Sequence, residues 1–223
     1  YARENGCPWD SNTLTFASEE GHLECLKYAH KNGCPWGLDA TLFAAQNGHL
    51  ECLKYAHAPD TGVGCEWKST TTAGAASEGH LECLKYAHEN GCEWDSYTTT
   101  CAARGGHLEC LKYAHETGCV WDSTTTTWAA ENGHLKCLKY AHAPDTGVGC
   151  EWNLNTTTYA AQNGHLECLK YAHENGCEWN WIITAYAAKR GHLECLKYAH
   201  THGCEWNWKT TAYASEGGHL ECL

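Results

Sequence analysis

The chain has no methionine, only two phenylalanines and only four prolines among its 223 residues. It also has no apolar run close to the roughly 20 residues that a membrane-spanning helix needs, and Tyr1-Ala2-Arg3 does not begin a signal peptide. Basic side chains are scarce, because 15 Lys and Arg against 27 Asp and Glu give a formal charge of −12. Such a charge repels phosphates and argues against nucleic acid as a partner. The missing methionine predicts a fragment or a processed chain.

Cysteine, histidine and tryptophan are abundant instead, with 17, 16 and 11 copies. A bias of this kind is typical of one short sequence that is repeated. A segment that begins Gly21-His22-Leu23-Glu24-Cys25 occurs eight times, once with Lys136 in place of the Glu, and a Cys-x-Trp anchor accompanies each copy at spacings of 27 or 31 residues. The anchors of the eight units are Cys7, Cys34, Cys65, Cys92, Cys119, Cys150, Cys177 and Cys204.

The two units of 31 residues carry an inserted loop. It spans Ala58–Gly64 and returns at Ala143–Gly149, 85 residues later, which equals one unit of 31 and two of 27. The spacing predicts a super-repeat of three units.

Each unit is expected to form two helices. Residues 22–30 place Leu23, Leu26 and Ala29 on one stripe with Glu24 and Lys27 opposite, which is typical of a short amphipathic helix. The Thr-rich segment before Ala102-Ala103 begins with capping residues and ends in glycine. Its threonines leave a strand as the alternative, but no alternation of period two is present, so the pattern favours a helical hairpin.

These residues resemble the ankyrin repeat over nearly the full chain. Ala102-Ala103, Gly106-His107-Leu108-Glu109, Leu111 and Gly118-Cys119 follow the order of that family's Ala-Ala, Gly-His-Leu-Glu, aliphatic residue and turn. The units are about six residues shorter than the roughly 33 of the family. The resemblance implies an all-α solenoid over residues 1–223, with about eight stacked repeats, trimmed β-hairpin fingers and protein partners. We expect it to be part of a longer array.

An aromatic side chain precedes the Ala-Ala pair in six units, and the resemblance implies that this position faces a concave groove. The other two units have Gly74 and Cys101 there. The residues are Phe16, Phe43, Trp128, Tyr159, Tyr186 and Tyr213. Leu154, Trp181, Ile182 and Trp208 are expected to add an apolar ridge of the kind that marks a partner surface. The alternative is that both sets pack on neighbouring units as core.

Zinc is a further candidate ligand, because His22, Cys25, His30 and Cys34 are metal-ligand types at a suitable sequence spacing. On a helix, however, His22 and His30 are separated by about 12 Å of rise and cannot reach one ion. Arg3 also takes the place of His30 in its own unit. The alternative is a structural His22 series at the turn and a partly exposed His30 series.

Disulfide bonds are a second possibility for the cysteines. Equivalent residues of stacked helices lie about 8 to 10 Å apart, which is too far for a bridge. Pairs of the Cys25–Cys34 or Cys34–Cys52 type remain, and reduced buried thiols are the alternative. The first outcome predicts an extracellular protein and the second a cytoplasmic one. The candidates are Cys25, Cys34, Cys52, Cys65, Cys83, Cys92, Cys110, Cys119, Cys137, Cys150, Cys168, Cys177, Cys195 and Cys204.

Three functions fit this pattern, and catalysis is not among them, because an active site needs one constellation of unlike residues rather than eight copies of the same ones. The first is an adaptor that binds a protein in its groove. The second is a filament, since the chain begins at Tyr1 and ends at Leu223 inside units. The third is a metal or thiol buffer. We favour a structural and protein-binding scaffold that self-associates head to tail.

Overall fold

The computed structural model describes residues 1–10, 12–58, 64–143, 147 and 149–223. Over these residues the protein is helical and contains no strand, which confirms the predicted fold class. Most of both inserted loops, and with them the proposed super-repeat, lies outside the described residues. The helices are α1 Asn12–Glu19, α2 Leu23–Lys31, α3 Ala40–Gln46, α4 Leu50–His57, α5 Thr71–Ser77, α6 Leu81–Glu89, α7 Thr98–Gly105, α8 Leu108–Glu116, α9 Thr125–Glu131, α10 Leu135–His142, α11 Thr156–Gln162, α12 Leu166–Glu174, α13 Ile182–Arg190, α14 Leu193–Thr201 and α15 Trp208–Gly217.

The first helix of each hairpin is made of small and β-branched residues. Ala44 and Ala45 of α3 are fully buried, which allows the neighbouring first helices to approach closely. Several of the threonine hydroxyls find partners inside the helical stack. Thr41 donates to the Glu66 carbonyl at 3.2 Å, and the hydroxyls of Thr72 and Thr98 are 3.1 Å apart.

The second helix of each hairpin is amphipathic, as its sequence predicts. Leu26 and Ala29 of α2 are buried, and Lys27 pairs with Glu24 at 3.4 Å on the other side. The same pair recurs as Lys54–Glu51 at 2.8 Å. Exposed pairs of this kind contribute at most about 0.5 kcal/mol each, so the buried stripe accounts for most of the stability of the helix.

The chain forms two compact units. The first contains Tyr1–Ala102 and Glu109–Cys119. In it α1, α3 and α5 pack side by side, and α2, α4 and α6 form a second layer. Its largest fully buried side chains are leucines: Leu14 and Leu26 of the first hairpin, Leu53 of α4, Leu84 of α6 and Leu111 of α8.

The second unit contains Ala103–Leu108 and Val120–Leu223. Here α9, α11, α13 and α15 form one layer, and α10, α12 and α14 form the other. Leu138, Leu169 and Ile183 are completely buried between them. A short 3₁₀ helix, Leu220–Cys222, follows α15.

The turn inside each hairpin joins one repeat to the next through a histidine. Gly48 has a φ of +75°, and a Cβ atom at this residue would lie 2.5 Å from Nδ1 of His80 in the following repeat. Glycine is required here because it accepts the left-handed backbone and leaves room for the ring. This contact gives the His22 series the structural role that was one of its two predicted alternatives.

Candidate functional site

An aromatic cluster joins consecutive repeats. In the first unit His88 stacks on Trp94 of its own repeat with ring centroids 4.2 Å apart, and Tyr113 of the next repeat meets both rings at 6.1 Å. In the second unit His142, Trp152 and Tyr171 repeat the arrangement at 4.0, 6.1 and 6.2 Å. We call this arrangement the His–Trp–Tyr triad. Edge-to-face and stacked rings at these distances are attractive, so each triad binds two repeats together.

The indole of the triad also makes a hydrogen bond across the junction. Nε1 of Trp67 donates to the Asn90 carbonyl at 3.0 Å, and Nε1 of Trp152 donates to the Asn175 carbonyl at 2.9 Å. A buried indole needs such a partner. The tryptophans therefore position the turn of the following repeat as well as packing against it.

Burial in the triads lowers the pKa of the histidines His30, His57, His142 and His173 below the usual value of 6.5. The Nδ1 atom of His57 is buried without a hydrogen-bond partner among the described residues. A proton on this ring would add a charge to a place that offers it little solvation.

We therefore expect the chain to lose stability on mild acidification. The unfolded histidines have a pKa of about 6.5, and the folded pKa values lie lower. Stability from this source is thus fully present above about pH 6.5 and is lost as the pH falls from there through the folded values. The midpoint of urea unfolding, measured at about pH 7.5 and at about pH 5.5, checks this and should be lower at about pH 5.5. The variant His57→Gln should show a smaller difference between the two midpoints than the wild type. A midpoint that is unchanged or higher at the lower pH would contradict it.

The cysteines form no disulfide bonds, and all seventeen are free thiols. The thiols of the anchor series donate to backbone carbonyls that lie 24 or 28 residues earlier in the chain, as in Cys34 to Asp10 at 3.6 Å and Cys204 to Asn180 at 3.2 Å. The predicted bridges are therefore wrong for every candidate: Cys25, Cys34, Cys52, Cys65, Cys83, Cys92, Cys110, Cys119, Cys137, Cys150, Cys168, Cys177, Cys195 and Cys204.

Except for the exposed Cys25, the cysteines of the second helices are buried. Burial raises the pKa of Cys83 to about 11 and that of Cys168 to about 12. Lys54 of the preceding second helix acts on the pKa of Cys83 in the opposite direction, which places this thiol toward that helix. Such thiols are neutral at pH 7 and pack as small apolar groups.

Thiol accessibility gives a direct prediction. Cys7 and Cys25 are exposed and Cys101 is half-buried, whereas the other cysteines are buried. With a water-soluble maleimide in native buffer, we expect two thiols to react quickly and a third slowly, and the remaining fourteen only after denaturation. Intact mass after timed quenching measures this. Rapid labelling of many thiols, or resistance to labelling after denaturation without reductant, would contradict it.

The residues considered for zinc lie in other contacts. His30 stacks on Trp36 at 4.8 Å and its Nδ1 is 3.0 Å from the Tyr55 hydroxyl. Across the described residues no group of three His, Cys, Asp or Glu is arranged to hold a metal ion. The Cys34 thiol points to the Asp10 carbonyl instead of to His30.

The aromatic side chains of the first helices lie along one face of the helical layer in each unit. We call Phe16, Phe43, Trp128, Tyr159, Tyr186 and Tyr213 the aromatic face. Phe16 is 60% exposed and Tyr186 is 37% exposed, while the other four are half-buried. A groove of about 280 Å³ lies between Trp128 and Tyr159 and is also lined by Glu131 and Asn155. Tyr186 and Tyr213 contact each other at 6.3 Å.

The apolar ridge lies beside this face in the second unit. Leu154 and Trp208 are both 72% exposed, and Trp181 is half-buried. Neither the ridge nor the aromatic face is closed into the core, so both remain accessible to a partner.

The triads were not predicted, although their residues are among the most repeated in the sequence. Tyr, His and Trp recur at fixed offsets, as Tyr28, His30 and Trp36 show. The signal that could have found them is this combination, since three aromatic rings that repeat together are expected to meet at a junction.

Comparison with known families agrees with this architecture. A family model of ankyrin repeats in three copies matches residues 72–155 and 157–223, and one of ankyrin repeats in many copies matches residues 14–57. None of the curated proteins that were compared matches the chain. No helix among the described residues has the length and apolar character to cross a membrane. The match extends over more than half of the sequence, and the chain belongs to the ankyrin-repeat family.

Proposed function

We propose that this chain is a non-catalytic scaffold that binds proteins along its aromatic face. Ankyrin repeats indicate a protein–protein interaction scaffold. The observation that carries the finer proposal is the contrast between two sets of aromatic residues. The triads pack their rings against one another between repeats, with Tyr55 and Tyr140 buried, whereas the aromatic face keeps Phe16 and Tyr186 exposed and Trp128 and Tyr159 at the rim of a groove.

The fold itself does not require an aromatic residue on this face. Gly74 and Cys101 occupy the same position in two repeats, and α5 and α7 form there as well. Exposed aromatic side chains cost solubility, and they are the commonest anchors of protein interfaces. Binding a partner explains their presence better than packing does.

A peptide selection tests this proposal. Random peptides displayed on phage are selected on the full chain, and the affinities of synthetic copies are compared with a Trp128→Ala/Tyr159→Ala variant. We expect the double change to weaken binding by about tenfold or more, because interface aromatics commonly contribute over 1 kcal/mol each. Val120→Ala is the control, since Val120 is 71% exposed and lies in the Cys-x-Trp turn. Equal affinity for both variants would contradict the aromatic face as the binding site.

We also propose that copies of the chain associate end to end. Tyr28 is 50% exposed, while its counterpart Tyr55 is 6% exposed because His30 and Trp36 of the preceding repeat pack on it. A groove of about 460 Å³ beside Tyr28 is lined by Arg3, Trp9 and Cys25. At the opposite terminal repeat Trp206 is 51% exposed although it stacks on His200 at 3.6 Å. A second copy could cover these surfaces as one repeat covers another.

Sedimentation velocity over a range of concentrations tests self-association. The wild-type chain should form larger species as concentration rises, and Tyr28→Glu or Trp206→Glu should shift it toward monomer. Tyr97→Glu is the control, since Tyr97 is 59% exposed within an internal repeat. A monomer at every concentration would contradict end-to-end association and leave the adaptor function.

A further inference from the structure

Two tryptophans and a lysine form a cluster on the surface of the second unit. The Nζ atom of Lys209 lies 4.8 Å from the ring centroid of Trp181 and 5.7 Å from that of Trp208. The ammonium group is thus within cation–π distance of two rings from consecutive repeats. We call these three residues the Trp–Lys–Trp cluster.

The fold does not explain the two tryptophans. The equivalent positions of three other repeats are Ser69, Ser96 and Ser123, and all three serines are exposed. A small polar residue is therefore sufficient for the turn. Trp208 is 72% exposed, so it adds little to the core of its own repeat.

Nor does the fold explain the charge of Lys209. Three other lysines of this unit pair with a carboxylate, as in Lys170–Glu167 at 2.8 Å and Lys189–Glu216 at 2.7 Å, whereas Lys139 lies over the ring of Tyr171. Lys209 forms no ion pair with the residues that the structure describes. It also lies in the first turn of α15, where the helix dipole disfavours a cation.

We propose that the Trp–Lys–Trp cluster binds an extended segment of a partner protein that carries a carboxylate between two apolar side chains. The carboxylate pairs with the Lys209 ammonium, and the apolar side chains pack on the rings of Trp181 and Trp208. A charge-assisted hydrogen bond beside apolar surface is stronger than one in open water. This inference rests on the proposed scaffold function and specifies the partner of one part of its surface.

The spacing of the repeats sets the spacing of the partner's residues. Neighbouring packed helices are about 8 to 10 Å apart, and a segment in the extended polyproline II conformation rises about 3.1 Å per residue with about three residues per turn. The two apolar residues should therefore be about three positions apart, on the same side of the segment, with the acidic residue between them. Leu154 is the counterpart of Trp181 in the repeat before it. It is 72% exposed and offers a further apolar contact.

The experiment uses the full chain and peptides from the phage selection described above. Affinities are measured by fluorescence anisotropy for the wild type, Trp208→Ser, Lys209→Thr and the control Leu38→Ser. Serine is the residue found at the equivalent position of other repeats, and threonine occupies the position of Lys209 in the repeats with Thr70 and Thr124. Leu38 is 78% exposed at the counterpart of Trp208 in the first unit. Far-UV circular dichroism shows whether each variant is folded.

We expect the selection to enrich peptides with an acidic residue flanked by apolar ones. Trp208→Ser should weaken their binding by about tenfold, and Lys209→Thr should weaken it by about fivefold or more. Replacing the peptide's Asp by Asn should weaken its binding to the wild type about as much as Lys209→Thr does. The same replacement should hardly change its binding to the Lys209→Thr variant. Leu38→Ser should bind as the wild type does.

Three results would overturn the inference: no preference for acidic peptides, affinities unaffected by Trp208→Ser, or an Asp→Asn effect that persists in Lys209→Thr. Peptides that depend on Trp128 and Tyr159 but not on the cluster would refute this site and leave the scaffold function standing. Peptides that depend on neither set would refute both.

Discussion

Replacing Trp94 by alanine is expected to lower the free energy of unfolding by about 3 kcal/mol. Trp94 stacks on His88 at 4.2 Å and meets Tyr113 at 6.1 Å. Its indole also donates to the Thr117 carbonyl at 3.4 Å. The substitution removes the central ring of a triad and leaves two aromatic side chains and a carbonyl without their partner.

The control for this prediction is Trp208→Ala. Trp208 is the same residue type and is 72% exposed, so its loss should change stability by no more than about 0.5 kcal/mol. Urea unfolding followed by far-UV circular dichroism measures the stability of both variants. Circular dichroism is preferred to tryptophan fluorescence because each variant has lost one tryptophan. Similar effects of the two substitutions would show that the triads do not hold the repeats together.

Replacing Gly48 by alanine is expected to destabilise the chain by about 3 kcal/mol, from backbone strain and overpacking together. The φ of +75° disfavours any side chain, and the new Cβ would meet Nδ1 of His80 at 2.5 Å. The ring cannot remain where it is, so the contact between the two repeats must shift.

Gly33→Ala separates the two causes. Gly33 has a φ of +80°, but a Cβ there would meet nothing within 4 Å. This variant should therefore show only the strain, about 1 to 2 kcal/mol. A double variant, Gly48→Ala with His80→Ala, should be less destabilised than the two single effects added together, because the second change removes the clash. Equal effects of Gly33→Ala and Gly48→Ala would refute the close approach of the histidine.

The period, the two helices of each repeat and the family follow from the sequence, because the repeated Ala-Ala and Gly-His-Leu-Glu segments specify local structure directly. The amphipathic stripe of Leu26 and Ala29 is buried as predicted. The Thr-rich helices were harder to predict, since threonine favours strands in isolation. Their hydroxyl contacts, such as that of Thr72 with Thr98, depend on the next repeat. Such contacts cannot be predicted from the sequence of one helix alone.

The cysteines show why the candidate site was only partly predictable. Spacing alone left Cys25 and Cys34 as a possible pair, but the direction of a side chain depends on where the neighbouring repeat lies. In the structure the Cys34 thiol is directed to the Asp10 carbonyl, on the other side of the same helical hairpin. The exposure of the aromatic face has the same origin, because it depends on how far each ring is covered by a neighbour.

We infer that this chain has tryptophans of two kinds: some hold the repeats together, and others are exposed and available to bind a partner. Hydrogen exchange of the indole N–H groups, followed by NMR on a chain labelled with ¹⁵N-tryptophan, tests it most directly. Single Trp→Phe variants assign the signals. We expect slow exchange of the indole N–H for Trp67 and Trp152, whose Nε1 atoms donate to carbonyls at 3.0 and 2.9 Å. We expect fast exchange for Trp208, which is 72% exposed. Exchange of Trp67 and Trp152 as fast as that of Trp208 would contradict it.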